Sequence, residues 1–207
     1  MTVQYIAAAV AVLLAYLLGS LSGGLLIGRL LGREDLRLSG SGNAGATNAL
    51  RTGGRGYGAA VLLFDLAKGV LAAAFLPLLA PFQWLAFACG AAAVIGHVYP
   101  VFYGFAGGKG AATLIGVLLV LAPAALLPAL AVWLLCLGLT GYVGLATVLG
   151  MTIVAGALVL WHGIAAESLF GVVMWALTVY THRGNLQRTL AGDENRFERA
   201  MILRRPR

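Results

Sequence analysis

The chain has 207 residues, of which 61% are hydrophobic and 10% charged, with a formal net charge of +7 and a mean hydropathy of +0.94. Soluble domains carry about 25% charged residues, so this composition excludes an ordinary soluble domain and indicates an all-α integral membrane protein. Its two cysteines, Cys89 and Cys136, lie far apart in apolar runs and form no pattern typical of a disulfide or a metal site.

The apolar runs predict seven transmembrane helices in a single domain over residues 1–207. The first run, residues 5–31, is too long for a signal peptide, and the arginines that follow it place its C-terminal end in the cytoplasm. The arginine-rich tail after Thr181 is also expected in the cytoplasm, so the stretch from Gly110, which lacks Lys and Arg, must cross an even number of times. Two over-long crossings would satisfy this parity, but four fit its length better. The other six spans are expected at about 57–80, 84–100, 111–122, 124–139, 145–160 and 164–181.

This topology places the N-terminus outside and the C-terminus in the cytoplasm of a bacterial plasma (inner) membrane. It also brings four polar or glycine-rich segments to the cytoplasmic face, namely 38–55, 97–110, 140–147 and 182–196. The opposite face has only short apolar turns. We therefore expect a cytoplasm-facing active site at the membrane surface rather than a transport path.

The first of these segments contains Gly40-Ser41-Gly42-Asn43-Ala44-Gly45, which matches the dinucleotide-binding fingerprint, with Asp65 twenty residues on. That fingerprint requires a preceding strand, whereas an apolar run of helical length precedes it here, so the match is coincidental. The local physics remains, because glycine-rich backbone before a helix offers N–H groups to an anion. Polar side chains that suit a phosphate interleave with the glycines: Ser41, Asn43, Thr47, Asn48 and Arg51.

The second and third segments carry further polar groups. Gly107, Gly108 and Lys109 come at a predicted helix start and offer amides plus one ammonium, while His97 alone is typical of a satisfied interfacial histidine. In the third segment, His182 and Asn185 are three apart and share a helix face at the membrane surface, with Arg183 beside them.

Two charge patterns lie outside these segments. Asp65 and Lys68, three apart in an apolar run, predict an intramembrane ion pair. His162 and Glu167 nearly reproduce the H-x-x-x-x-D dyad of acyl-CoA-dependent acyltransferases, but Glu replaces Asp and the topology places them outside. We therefore assign no catalytic role to this pair.

Three stretches, SGSGNAGATNALRTGG, GHVYPVFYGFAGGKGAAT and HRGNLQRTLAGDE, resemble the signature blocks of the acyl-phosphate-dependent glycerol-3-phosphate acyltransferases, the PlsY family. The resemblance covers nearly the whole chain. It departs from the family where T-R-Y-V-S is common, because this chain has Gly141 and Gly144, and where Gly184 replaces a usual Glu.

The resemblance implies seven membrane helices and transfer of an acyl group from acyl phosphate to the 1-hydroxyl of glycerol 3-phosphate, without cofactor or metal. It implies Lys109, His182, Asn185 and Ser41 as catalytic residues. The implied substrate-binding residues are Asn43, Thr47, Asn48, Arg51, His97, Gly107, Gly108 and Arg183. The proton acceptor is either His182 or the substrate phosphate. The implied partners are these two substrates and the lipid bilayer, with no nucleic acid, and the oligomeric state is left open.

Two other function classes compete with this interpretation. A small anion or lipid transporter would use the same glycines, but it would also need polar residues on the outer face, where they are scarce. A lipid-phosphate phosphotransferase would need acidic metal ligands among the glycine motifs, whereas the acids on this face lie outside them.

Overall fold

The computed structural model describes residues 1–202, and within that range it is helical with no β-strand. Its main helices are α1 Thr2–Ser20, α2 Gly23–Leu30, α3 Ala46–Ala74, α4 Leu85–Val98, α5 Ala111–Leu121, α6 Pro123–Thr140, α7 Val143–His162 and α8 Ala166–Ala191. The chain divides into two compact units, Met1–Leu121 and the part from Ala122 onward. The single domain expected over the whole chain stays a prediction.

Five of the described helical segments are long and apolar enough to cross a membrane. They begin at Thr2, Ala46, Leu85, Pro123 and Val143, while the apolar helix α5 has only 11 residues. The three predicted breaks around Pro123, Gly141 and Gly163 are confirmed as helix boundaries. The exact number of crossings remains part of our proposal below.

In the first unit, glycines let helix backbones approach closely. A Cβ on Gly19 of α1 would overlap the backbone of Ala93 in α4, and one on Gly96 would overlap that of Tyr16. Gly69 of α3 meets Thr113 of α5 in the same way. Small residues at such crossings are the usual means of helix association in lipid, where no hydrophobic force drives one apolar helix against another.

The expectation of one continuous first span over 5–31 is wrong, because the helix ends at Ser20 and a second begins at Gly23. The buried ends of the two helices are bonded by charged side chains from α3. Lys68 Nζ donates to the carbonyls of Gly19 and Leu21 at 2.8 and 2.9 Å, and the Gly23 N–H donates to Asp65 Oδ1 at 3.1 Å. The Lys68 ammonium thus binds carbonyls at the C-terminal end of α1, and the Asp65 carboxylate binds an N–H at the N-terminal end of α2. The helix dipole favours a cation and an anion at these respective ends.

The second predicted span also begins earlier than expected. Helix α3 starts at Ala46 instead of about residue 57, so the part of the polar, glycine-rich segment 38–55 from Ala46 onward is helical. The backbone leaves helical geometry at Gly54, where φ is 85° and ψ is 179°. Only glycine adopts this conformation without strain, so a short N-terminal helix ending near Gly53 is set off from the apolar part of α3.

In the second unit, α6, α7 and α8 pack in chain order around short turns. Trp133 Nε1 donates to Thr147 Oγ1 at 3.3 Å, and Ser168 Oγ donates to the Leu158 carbonyl at 3.0 Å. The segment after α8 folds back onto the α6–α7 turn. The Phe197 N–H donates to the Gly141 carbonyl at 2.7 Å, and the Ile202 N–H donates to the Gly138 carbonyl at 2.9 Å.

Candidate active site

The loop Ser39–Gly45, here called the first glycine loop, is shaped from within by Asn48, a buried residue of α3. Its Nδ2 donates to the carbonyls of Leu36, Ser39 and Asn43 at 2.9 to 3.0 Å, and its Oδ1 accepts the Ser41 N–H at 2.9 Å. Both Nδ2 hydrogens are therefore used, one of them shared between two carbonyls, and Oδ1 accepts one bond. The structure therefore places Asn48 as the organiser of the loop, although the sequence suggested a substrate contact.

Other predicted residues of this segment lie toward its surface. Ser41 and Arg51 are exposed, and Asn43 and Thr47 are half-buried. Thr47 and Arg51 are one turn apart on the first part of α3, whose N-terminal turn begins directly after the loop. An arginine beside a hydroxyl and a helix N-terminus is suited to a phosphate, because it combines a charged, two-pronged donor with further hydrogen bonds.

The second glycine loop, Gly104–Gly110, leads directly into α5. The Gly107 and Gly108 N–H groups donate to the carbonyls of Val98 and His97, both at 3.1 Å. Both amides, which the sequence assigned to a ligand, thus donate to the C-terminal end of α4 in the structure. Lys109 is half-buried and lies two residues before the first turn of α5. A lysine and a helix N-terminus, two features that suit an anion, are thus neighbours here.

Arg37, two residues before the first glycine loop, links that part of the chain to the second glycine loop, a role that sequence reasoning missed. Its guanidinium donates through Nη1 to the carbonyls of Tyr103 and Ala106, at 2.9 and 3.2 Å, and it forms a two-pronged pair with Asp35 through Nε and Nη2. The hydrogen bonds from Arg37 hold the pKa of the Asp35 carboxyl below its usual value of 3.8. A D-x-R spacing just before a glycine motif was the available signal, but nothing local indicates contact with residues more than sixty positions away.

A buried charge cluster lies beneath the second glycine loop. Lys68 Nζ lies 2.8 Å from Asp65 Oδ1, which confirms the predicted ion pair, and 3.0 Å from His97 Nδ1. All three side chains are at most 2% exposed. His97, expected among the substrate-binding residues, therefore faces this cluster through Nδ1. Its Nε2 edge lies against Gly108, where an added Cβ would overlap the ring.

In the second unit, His182 and Asn185 are both buried on α8, as their spacing of three predicted for one helix face. His182 Nδ1 lies 2.9 Å from the Thr178 carbonyl, and a carbonyl oxygen only accepts, so Nδ1 carries the proton. In the neutral ring Nε2 is then the nitrogen with the lone pair. A neutral His182 in this tautomer accepts a proton at Nε2.

Asn185 is held by the chain that follows α8. Its Nδ2 donates to Glu194 Oε1 at 2.6 Å, and the other oxygen of this buried carboxylate accepts from Arg188 Nε at 2.7 Å. Arg183, predicted to bind substrate, is exposed and folds back onto its own helix. Its guanidinium lies 4.1 Å from the centroid of the Tyr180 ring and donates to the Tyr180 carbonyl.

Two of the three glycine departures have a structural explanation. Gly141 closes α6 with a positive φ of 75°, and a Cβ on Gly144 would lie 2.7 Å from that of Asn185, so a glycine lets this side chain pack closely. The arginine that is common at position 141 in the family is missing here, but another arginine reaches this turn. Arg196 Nε donates to the Tyr142 hydroxyl at 3.1 Å. Nothing in the structure explains Gly184.

Comparison with known proteins places these segments in one family. A model of the family described as glycerol-3-phosphate acyltransferase matches residues 9–192. The glycerol-3-phosphate acyltransferase of Halalkalibacterium halodurans is 43% identical over 171 residues, covering 80% of this chain and 83% of that protein. That of Desulforudis audaxviator is 45% identical over 163 residues, covering 79% of this chain and 82% of the relative.

Solved structures agree with the sequence relatives. The crystal structure of PlsY (YgiH), an integral membrane glycerol 3-phosphate acyltransferase, in its glycerol 3-phosphate form superposes with a TM-score of 0.85 at 39% identity. Its lysophosphatidic acid form gives a TM-score of 0.82 at 38% identity, and both comparisons cover 92% of this chain and 95% of the solved chain. The chain is a multi-pass membrane protein that belongs to the glycerol-3-phosphate acyltransferase family.

Proposed function

We propose that this enzyme transfers a fatty acyl group from acyl phosphate to the 1-hydroxyl of sn-glycerol 3-phosphate, giving lysophosphatidic acid and inorganic phosphate. One observation carries the proposal. Two glycine loops, each with a nearby cation (Arg51 or Lys109), belong to one compact unit and are joined by Arg37. Two linked anion-binding segments suit a reaction in which both substrates are phosphates.

We assign the glycerol 3-phosphate to Arg51, Thr47 and the side chain of Asn43. The solved relatives described in glycerol 3-phosphate and lysophosphatidic acid forms support this acceptor. Arg51 and Thr47 are close to the N-terminal turn of α3, where the helix dipole favours an anion. Asn48 contributes by fixing the loop backbone on which Ser41 and Asn43 are carried.

We assign the acyl phosphate to Lys109, Ser41 and the N-terminus of α5. The acceptor hydroxyl oxygen attacks the acyl carbonyl carbon, the bond between that carbon and the phosphate oxygen breaks, and inorganic phosphate leaves. Acyl phosphate is already activated, so the chain's main tasks are alignment of the substrates and neutralisation of charge on the departing phosphate. Lys109 supplies that charge in our assignment.

The attacking hydroxyl must also lose a proton. We propose that it passes either to His182, whose Nε2 has the lone pair, or to a phosphate oxygen of the glycerol 3-phosphate itself. Asn185, fixed by Glu194, orients a substrate through its amide oxygen. We propose direct transfer without a covalent acyl-enzyme.

Replacement of each cation by alanine tests these assignments. Loss of Arg51 removes a charge-assisted contact with the ground-state acceptor, so the KM for glycerol 3-phosphate should rise strongly. Loss of Lys109 removes a charge that acts where negative charge develops, so kcat should fall about 100-fold or more. Lys109→Arg keeps the charge without the compact geometry and should recover little. Full activity in both alanine variants would place the site elsewhere.

The donor is tested directly with purified enzyme, labelled glycerol 3-phosphate and either palmitoyl phosphate or palmitoyl-CoA. We expect labelled lysophosphatidic acid from the acyl phosphate. Efficient turnover of the CoA thioester with none of the acyl phosphate would refute the assignment.

We further propose seven crossings of the bacterial inner membrane, with the N-terminus outside and the glycine loops and C-terminus in the cytoplasm. Tyr5 near the chain start stacks on Phe82 in the α3–α4 turn, which supports a common side for both. In a background without Cys89 and Cys136, single cysteines at the exposed positions 41, 106 and 190 should resist a membrane-impermeant thiol reagent in intact cells, and one at 82 should react. Labelling at 190 from outside would contradict seven crossings.

A further inference from the structure

The buried cluster of Asp65, Lys68 and His97 has more contacts than an ion pair needs to offset the cost of its charges. Lys68 has three N–H groups, of which two are used by the Gly19 and Leu21 carbonyls. The third faces both Asp65 Oδ1 at 2.8 Å and His97 Nδ1 at 3.0 Å, while His97 Nδ1 lies 3.4 Å from Asp65 Oδ1. The imidazole is thus held on its Nδ1 side by two charged partners from α3.

The opposite side of the same ring defines the second glycine loop. The nearest three atoms to a Cβ built on Gly108 all belong to the His97 imidazole, and Nε2 is closest. The Gly108 N–H also donates to the His97 carbonyl at 3.1 Å. Gly108 is therefore bound to His97 by its backbone and packed against its ring, and the next residue is Lys109.

We propose that His97, oriented by Lys68 and Asp65, is a positioning residue that fixes the second glycine loop so that Lys109 meets the phosphate of the acyl donor. His97 acts through the loop and does not contact the substrate. This inference rests on the proposed function for the identity of the donor. The cluster also bonds to the α1–α2 break, so one group of charges sets both a helix junction and the loop beside it.

The test separates the two sides of the ring. His97→Asn keeps a polar group where Nδ1 lies and removes the edge that packs on Gly108, whereas His97→Ala removes both. A displaced loop moves Lys109, and small misplacements of a catalytic group cost about 10- to 100-fold in rate. We expect kcat to fall by that factor in both variants, with the KM for glycerol 3-phosphate within about twofold of the wild-type value. Exposed His162→Asn is the matched control, with unchanged kcat.

A double-mutant cycle in thermal unfolding tests the contact without any substrate. Gly108→Ala should lower the melting temperature clearly when His97 is present, because the new methyl group meets the ring, and much less in the His97→Ala background. Additive costs at the two positions, or full kcat in both His97 variants, would overturn the inference. If the wild type fails to use acyl phosphate, the proposed donor is wrong, while the unfolding cycle and kcat with the donor actually used still decide the role of His97.

Discussion

Replacing Arg37 tests the physical link between the two glycine loops. Arg37 belongs to the short 3₁₀ helix Leu36–Leu38, just before the first glycine loop, and it reaches Ala106 of the second glycine loop and Tyr103, the residue directly before that loop. Arg37→Ala removes both of these hydrogen bonds. It leaves Asp35 exposed enough to remain hydrated, since the two side chains are each 32% exposed.

The expected magnitude follows from the two lost bonds. The bond to the Tyr103 carbonyl is 2.9 Å long and partly buried, while that to Ala106 is 3.2 Å long and exposed. Hydrogen bonds to charged groups contribute about 1.5 kcal/mol at the low end, and a longer, exposed one contributes roughly 0.5 kcal/mol. A total of about 2 kcal/mol corresponds to a loss of roughly 30-fold in kcat/KM if the loop must be anchored for catalysis.

The assay is steady-state production of lysophosphatidic acid with Arg37→Ala, Arg37→Lys and, as a control with the same change in charge, Arg29→Ala. Lysine lacks the planar fork that reaches Asp35 and two carbonyls together, so Arg37→Lys should recover little. Arg29 is exposed at the end of α2 and should tolerate alanine within about twofold, as surface positions usually do. Wild-type kcat/KM in Arg37→Ala would refute the idea that the two loops must be tied together.

Three further predictions concern folding. Lys68→Met leaves the buried Asp65 carboxylate unpaired and should destabilise the protein by about 3–5 kcal/mol, with part of the loss recovered in the Asp65→Asn/Lys68→Met double variant, as measured by thermal unfolding. Glu194→Ala leaves the Asn185 amide without this partner and should lower both activity and melting temperature, whereas Glu194→Gln keeps an acceptor and should do so less. The difference in melting temperature between wild type and Asp35→Asn should be constant between pH 7 and pH 5. Since the folded-state pKa of Asp35 is lowered, that difference should disappear only as the pH falls below its usual 3.8. A difference that vanishes near neutral pH would contradict the Asp35 assignment.

The apolar runs and their breaks were enough to predict most of the helical pattern. Pro123, Gly141 and Gly163 end or begin helices where the sequence suggested, because each has a local backbone reason to interrupt a helix. The break after Ser20 falls in the stretch GSLSGG, whose small residues lie inside a long apolar run and were included in one span. It depends on charges from Asp65 and Lys68, more than forty residues away, and hydropathy cannot detect a junction that is stabilised from another helix.

The candidate site shows the same division between local and distant effects. Residue types and spacing were enough to identify the two glycine loops and the shared helix face of His182 and Asn185. Spacing did not reveal which groups the fold itself would use. Asn48 is occupied by its own loop, and the Gly107 and Gly108 amides are bonded to the end of α4. Such assignments depend on where neighbouring backbone carbonyls lie, which a single sequence does not encode locally.

The most direct measurement of the central claim follows the phosphorus atom. Purified enzyme is supplied with palmitoyl phosphate labelled with ³²P and with unlabelled glycerol 3-phosphate, and the products are separated. Attack at the acyl carbon leaves all of the label in inorganic phosphate, with one phosphate released for each lysophosphatidic acid formed. Label in an organic product, as attack at phosphorus would give, or lysophosphatidic acid formed without release of phosphate, would contradict acyl transfer from an acyl phosphate.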